Sequence, residues 1–262
     1  MQIDSPRYTV LFAAAVCVVC ALLVAGSTVL LRERQLANQF LYLQKNVLQA
    51  AGLVPAGARI PDREVVDLFE QNVRTRLVDL RTGDYAEPAG IEPERYDQRR
   101  ARGDPAQSRS APANLAQIKR IPHLARVYLV TEGGRPGQVV IPIEGIGLYG
   151  MLYGFLALDR DTTTIRGLAF YENRETPGLG GEVDNPKWRA LWPGRKAFDE
   201  SWQPRIQLVK GVAGPPGQAP HHVDGLSGAT ITSNGVTRML TFWLGEHGFG
   251  PYLAKVRERS GP

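Results

Sequence analysis

LYGMLYGFLALDRDTTTIRGLAFY, residues 148–171, is the stretch that decides the fold. Two apolar arms, 148–158 and 163–171, flank the polar turn Asp159-Arg160-Asp161 and read as a β-hairpin. Outward from it, 126–131 and 138–143 are further strand candidates upstream, and 206–210 is one downstream. Helical patterns lie at both ends. Leu36, Phe40, Leu43, Val47 and Ala50 recur at steps of four and three, one stripe of a helix that Gly52 stops. A shorter helical stretch, 62–74, places Val65, Leu68, Phe69 and Val73 on one face, and 77–81 reads as a strand closed by Thr82-Gly83. Residues 234–248 read as an amphipathic helix burying Val236, Leu240, Trp243 and Leu244. Strands gathered between terminal helices predict an α+β domain with a largely antiparallel sheet and flanking helices.

Ahead of this domain, residues 8–31 carry no charge and are mostly Val, Leu, Ala and Cys. As a helix the run is about 36 Å long at 1.5 Å per residue, enough to cross a hydrocarbon core of about 30 Å. It exceeds the apolar region of a cleavable signal peptide and is followed by Arg32-Glu33-Arg34, so it reads as a permanent anchor. The expected organisation is therefore an N-terminal membrane anchor, 1–34, and a soluble domain, 35–262. Arg7 against Asp4 on one flank, and Arg32 and Arg34 against Glu33 on the other, leave the orientation open. Cys17 and Cys20, the two cysteines of the chain, lie within the anchor and exclude a disulfide-stapled fold. They share a helix face, where small apolar residues serve helix packing, the alternative being a metal or redox pair.

From about 85 to 120 the apolar periodicity disappears. Pro88, Pro93, Pro105 and Pro112 punctuate a stretch in which Arg95, Arg99, Arg100, Arg102 and Arg109 sit among acids, a loop-rich insertion expected to be solvated. A net charge of +5 over 262 residues is too small for the basic stripe of a nucleic-acid binder. His123, His221, His222 and His247 are too scattered for a metal site.

The segment with chemistry is DGLSGATITS, residues 224–233. Gly225, Gly228 and Ala229 have almost no side chains, so another molecule can approach the backbone, and hydroxyls stand at Ser227, Thr230, Thr232 and Ser233. A helix beginning just beyond them favours a phosphate.

Asp224 to Thr230 resembles the D-x-x-S/T-G-A-S/T signature of the FMN-binding domain family, at which a flavin transferase joins FMN to a hydroxyl through a phosphoester. The resemblance implies that Thr230 is the attachment residue, its hydroxyl attacking FAD with release of AMP. Asp224, Ser227, Gly228 and Ala229 would form the recognition motif. Further stretches are similar to the C subunits of bacterial sodium-translocating NADH:quinone reductases: Gly145-Ile146-Gly147-Leu148-Tyr149, Tyr153 to Asp159, Glu175 to Val183, and Asn185-Pro186-Lys187-Trp188. They keep their order along nearly the whole chain. Tyr149-Gly150 departs from the expected Trp and frequent Ser, and still supplies an aromatic wall.

This resemblance implies covalent FMN held against Leu148, Tyr149, Glu175, Thr176, Gly178, Leu179 and Gly180. Leu148 and Tyr149 offer an apolar platform, Thr176 a hydroxyl, and the Pro177-Gly178 bend presents Leu179. It also implies an assembly of six subunits in the inner membrane, with the soluble domain periplasmic and the other subunits, the flavin transferase and membrane lipid as partners. The chain would relay electrons while sodium is exported and ubiquinone reduced. The NADH site and the sodium path would lie on other subunits, and no acid–base catalytic set is expected here. Three other readings stand beside it. They are the G subunit of an Rnf-type complex, an esterase built on Gly225-Leu226-Ser227-Gly228-Ala229 with His247 as base, and a scaffold that never carries flavin.

Overall fold

The computed structural model describes residues 6–132 and 135–259. The chain divides into two units, Met1–Tyr42 and Leu43–Pro262. The first is the exposed length of α1 (Pro6–Ala50), a helix of 45 residues. Expected as an anchor and a separate amphipathic helix, it is continuous because no Gly or Pro interrupts residues 31–50. Val10, Leu11, Leu22, Leu23, Val29 and Leu30 are all exposed, and the helix is long and apolar enough to cross a membrane. Two of its hydroxyls are satisfied within the helix, Ser27 Oγ donating to Leu23 O (2.7 Å) and Thr28 Oγ1 to Val24 O (2.8 Å). That arrangement suits an apolar surrounding, where no water would take their protons. Cys17 and Cys20 are free and exposed.

In the second unit α1 ends in a Schellman motif. Gly52, at φ 75°, donates to Gln49 O and Leu53 N to Leu48 O. Of the predicted stripe, Val47 and Ala50 are fully buried whereas Leu36 and Phe40 remain exposed. Then come α2 (Asp62–Asn72), β1 (Val73–Asp79) and β2 (Asp84–Ala86). The insertion holds α3 (Gln98–Gly103), β3 (Ser108–Ser110) and β4 (Arg120–Pro122). The long strands β5 (Leu124–Glu132), β6 (Arg135–Ile146), β7 (Met151–Asp159) and β8 (Ile165–Glu172) follow. After them lie α4 (Pro186–Arg189), β9 (Gln207–Val209), β10 (His222–Asp224), α5 (Thr230–Leu244) and α6 (Gly250–Arg259).

The main sheet has the order β2-β1-β5-β6-β7-β8, and every neighbouring pair is antiparallel. The expected α+β class with a largely antiparallel sheet holds. The predicted hairpin is β7–β8, with Leu156 opposite Leu168 and Phe155 opposite Ala169. Alternation sends Ile141, Ile143, Leu156 and Leu168 to one face, where Val236, Met239, Leu240 and Trp243 of α5 complete the core. On the opposite face Phe69, Tyr128, Phe155 and Tyr171 form a chain of ring contacts at 6.2, 5.5 and 4.9 Å between centroids. The β8 edge is covered: Ile165 N donates to Arg195 O, Gly194 N to Ile165 O, and Arg189 Nε to Leu168 O.

Most of the insertion, Arg95 and Arg100 included, is exposed, but part of it packs on the sheet. The Arg99 guanidinium lies 3.4 Å from the Tyr153 ring centre and bonds Glu172 Oε2 (2.8 Å). Arg102 pairs with Glu144, a residue only 7% exposed on β6. Burial pushes the Glu144 carboxyl up, opposed by the neighbouring Arg102. Two arginines thus fasten α3 to the sheet.

Candidate functional site

α5 starts at Thr230, four residues before the predicted start, so the expected attachment residue is the first residue of the helix and its side chain is exposed. The preceding loop is held by Ser233, whose buried Oγ accepts from Leu226 N (2.9 Å) and donates to Ala229 O (3.0 Å). Ala229, at the helix N-cap, provides no side-chain cap bond, so the first-turn amides face outward beside Thr230. Such a terminus carries partial positive charge and suits a phosphate.

Asp224 closes β10. Its Oδ1 accepts from Ala213 N (2.8 Å) and its carbonyl from the Trp188 indole (2.9 Å), which ties the Asn185-Pro186-Lys187-Trp188 run to the start of the motif. Gly225 N donates to Val209 O (2.8 Å), and a Cβ on Gly225 would stand 2.6 Å from that oxygen. Arg195, 2% exposed, reaches Gly214 O and Ala219 O (2.7 Å each) and so holds the neighbouring 211–220 loop. Burial lowers the Arg195 pKa, opposed by the nearby Asp224 charge.

The two glycine-rich segments meet this motif. Gly228 has φ 71°, and a Cβ there would lie 2.9 Å from Leu179 Cδ2, so Leu179 rests against the backbone two residues before Thr230. Gly178, at φ 78°, makes the bend that presents Leu179, while Leu179 N and Gly181 N both donate to Thr176 O. Thr176 and Ser227 are exposed. Leu148 and Tyr149, expected inside a strand, lie in the β6–β7 connection, 44% and 65% exposed. Leu179 (44%) and Ile231 (56%) are exposed apolar side chains of the two segments that meet here.

Glu175 lies beneath them rather than at the surface, 6% exposed. Its Oε1 accepts from Leu148 N and Tyr149 N (3.0 Å each), and its Oε2 from Thr232 Oγ1 (2.5 Å). Gly180 is buried beside that carboxylate. Asn173 Oδ1 accepts from Glu175 N (3.1 Å), and Asn173 Nδ2 donates to Asp184, whose carboxyl burial pushes up. Asn173 carries no signal in the sequence, and Thr232 and Ser233 stand out there only as hydroxyls of the motif. Their role shows once distant loops are brought together. His247, the base required for an esterase, follows the far end of α5, a helix about 22 Å long that begins three residues after Ser227, and it pairs with Glu246. Among the described residues no hydrogen bond joins it to Ser227.

The FMN-binding domain family matches residues 147–245, the span that contains all three segments. Over 259 residues the chain is 44% identical to the C subunit of the Na(+)-translocating NADH-quinone reductase of Vibrio campbellii, covering 97% of each chain. The protein of that name from Pseudomonas aeruginosa is 43% identical over 258 residues, again covering 97% of each. The chain belongs to this family of reductase C subunits. Membership at full length decides against the Rnf-type alternative. The crystal structure of NqrC from Shewanella oneidensis superposes with a TM-score of 0.77 at 36% identity, covering 85% of this chain and 99% of that one. The C subunit from Parabacteroides distasonis gives 0.65 at 26% identity, covering 85% and 96%. As a C subunit, the chain is part of an NADH-quinone reductase of several subunits and carries an FMN-binding domain.

Proposed function

We propose that Thr230 carries FMN through a phosphoester and that the chain relays electrons within a sodium-pumping NADH:ubiquinone reductase. α1 would anchor it in the inner membrane, with the FMN-bearing domain in the periplasm. The observation that carries this reading is the convergence at α5: an exposed hydroxyl on its first residue, outward amides around it, and Leu179 seated on Gly228. These residues fit the group. The amides and the dipole of α5 would hold the phosphate, whose ester oxygen is that of Thr230. Leu148, Tyr149 and Leu179 would exclude water from the ring faces, and Thr176 with the backbone of Gly178 and Gly180 would meet its polar edge. Bound FMN would supply the redox chemistry, and the chain its orientation and potential. Tethering keeps the group at high effective concentration for successive partners, the other subunits of the complex. A separate flavin transferase would install it, recognising Asp224, Ser227, Gly228 and Ala229, and membrane lipid would surround the anchor.

The decisive experiment is mass spectrometry of the peptide containing Thr230 from chain co-expressed with its flavin transferase. The added mass of FMN is expected, and it disappears in Thr230→Ala together with flavin fluorescence in a denaturing gel. Fluorescence that survives in Thr230→Ala refutes the assignment. Because Thr230 is exposed, that substitution leaves thermal stability within about 0.5 kcal/mol.

A further inference from the structure

We propose that Glu175 is a positioning residue: it locks the Leu148–Tyr149 platform to the first turn of α5, and its negative charge beneath that platform holds the flavin's reduction potential down. The proposal rests on the reading that Thr230 carries FMN, and it revises the expectation that Glu175 touches the ring. Both carboxylate oxygens are occupied by donors of the protein itself. Two successive amides, of Leu148 and Tyr149, converge on Oε1, and the Thr232 hydroxyl reaches Oε2. Thr232 is two residues beyond Thr230 on α5, so one side chain joins the attachment turn to the aromatic wall.

The surroundings are cut to admit this carboxylate. A Cβ on Gly147 would stand 2.5 Å from Oε1. One on Gly180 would stand 2.5 Å from Oε2 and 2.7 Å from Thr232 Oγ1. Real Cβ atoms do not approach so closely, so two of the glycines in the family-like segments are explained by Glu175 rather than by clearance for a ligand. Among the described residues no lysine, arginine or histidine is bonded to it. Its charge is therefore balanced by amide and hydroxyl dipoles and the positive end of α5. Dipoles stabilise the carboxylate without cancelling its net charge, and a net negative charge in a site of low dielectric disfavours the arrival of electrons nearby.

Glu175→Gln separates charge from geometry. The amide oxygen can accept from the same two N–H groups, and the amide nitrogen can donate to Thr232 Oγ1, so the links survive without the charge. The full chain, co-expressed with the flavin transferase and purified in detergent, is titrated against redox dyes after the FMN mass on the Thr230 peptide has been verified. In Glu175→Gln the ratio of reduced to oxidised flavin at a fixed applied potential rises about tenfold, a positive shift of some 30 mV for a two-electron couple. A flavinylated Glu175→Gln chain that titrates with the wild type overturns the charge role. Wild-type chain without FMN on Thr230 instead overturns the reading beneath it, and the two failures are told apart by mass alone.

The positioning role is read without flavin, in chains carrying Thr230→Ala. Hydrogen exchange at the Leu148 and Tyr149 amides is protected in that background and accelerates roughly tenfold or more when Glu175→Ala is added. Thr232→Val, which keeps the carboxylate and removes one link, gives a smaller acceleration at the same amides. Exchange unchanged by both substitutions overturns the positioning role.

Discussion

Gly225→Ala tests how closely the 224–229 loop is packed. The added Cβ would meet Val209 O at 2.6 Å, whereas ordinary contacts begin at 3.4 Å, so the two backbones must separate by 3.4 − 2.6 = 0.8 Å. They are also joined there by the Gly225 N to Val209 O bond of 2.8 Å, which stretches with that movement. Forcing a methyl into such a site costs about 1–3 kcal/mol. The narrower unfolded ensemble of alanine returns about 0.4–1 kcal/mol. The balance is a loss of about 0.5–2 kcal/mol, and in a domain of this size each kcal/mol lowers Tm by about 2–4 °C. Thermal unfolding of the full chain in detergent, followed by circular dichroism, should show Tm lower by about 1–8 °C. Gly217→Ala is the control, because a Cβ there meets nothing within 4 Å and its φ is unrestrictive, so Tm holds or rises slightly. A Gly225→Ala chain as stable as the Gly217→Ala control would refute the close approach of β9 to the motif.

Trp188→Phe removes the indole donor from Asp224 O and leaves a half-buried acceptor without its partner. It should cost about 1–3 kcal/mol in thermal unfolding. The side-chain hydrogen bond from Arg81 holds the Asp79 carboxyl below its ordinary value. A lowered folded value means a stabilisation present above the unfolded pKa of about 3.9 and lost as pH falls through the folded value. Asp79→Asn should therefore lower Tm at neutral pH, and its deficit relative to the wild type should close as the pH is taken below about 4. A deficit that stays constant with pH would remove the Asp79–Arg81 pair as its source.

Local pattern carried much of this architecture. The β7–β8 hairpin and the strands before it announce themselves through apolar runs and turn residues, because their burial is set by alternation within each strand. α5 begins early for a reason absent from its own sequence: Thr230-Ile231-Thr232-Ser233 reads as turn, but the hydroxyls of Thr232 and Ser233 are bonded in ways that hold the first turn helical. Leu148 and Tyr149 look like strand residues because they are apolar. They leave the strand because Glu175, 27 residues from Leu148, captures their amides. Arg99 and Arg102 look solvated until their partners Glu172 and Glu144 arrive from distant strands. α6 gave no reading at all, since Tyr252 and Leu253 are buried only by tertiary packing. The 224–233 segment was legible as a run of small and hydroxyl residues, and the scaffold that holds it was not.

The covered margin of β8 limits how a neighbour can engage this domain. With Ile165 and Leu168 already committed to the 189–195 segment, the β8 side gives little template for an incoming strand, and the opposite margin is the three residues of β2 and the 73–76 stretch of β1. Association with other chains along β8 must then be written in side-chain relief and charge, which a single substitution can rewrite. Main-chain pairing would accept almost any extended peptide, so a closed margin also guards the domain against uncontrolled polymerisation.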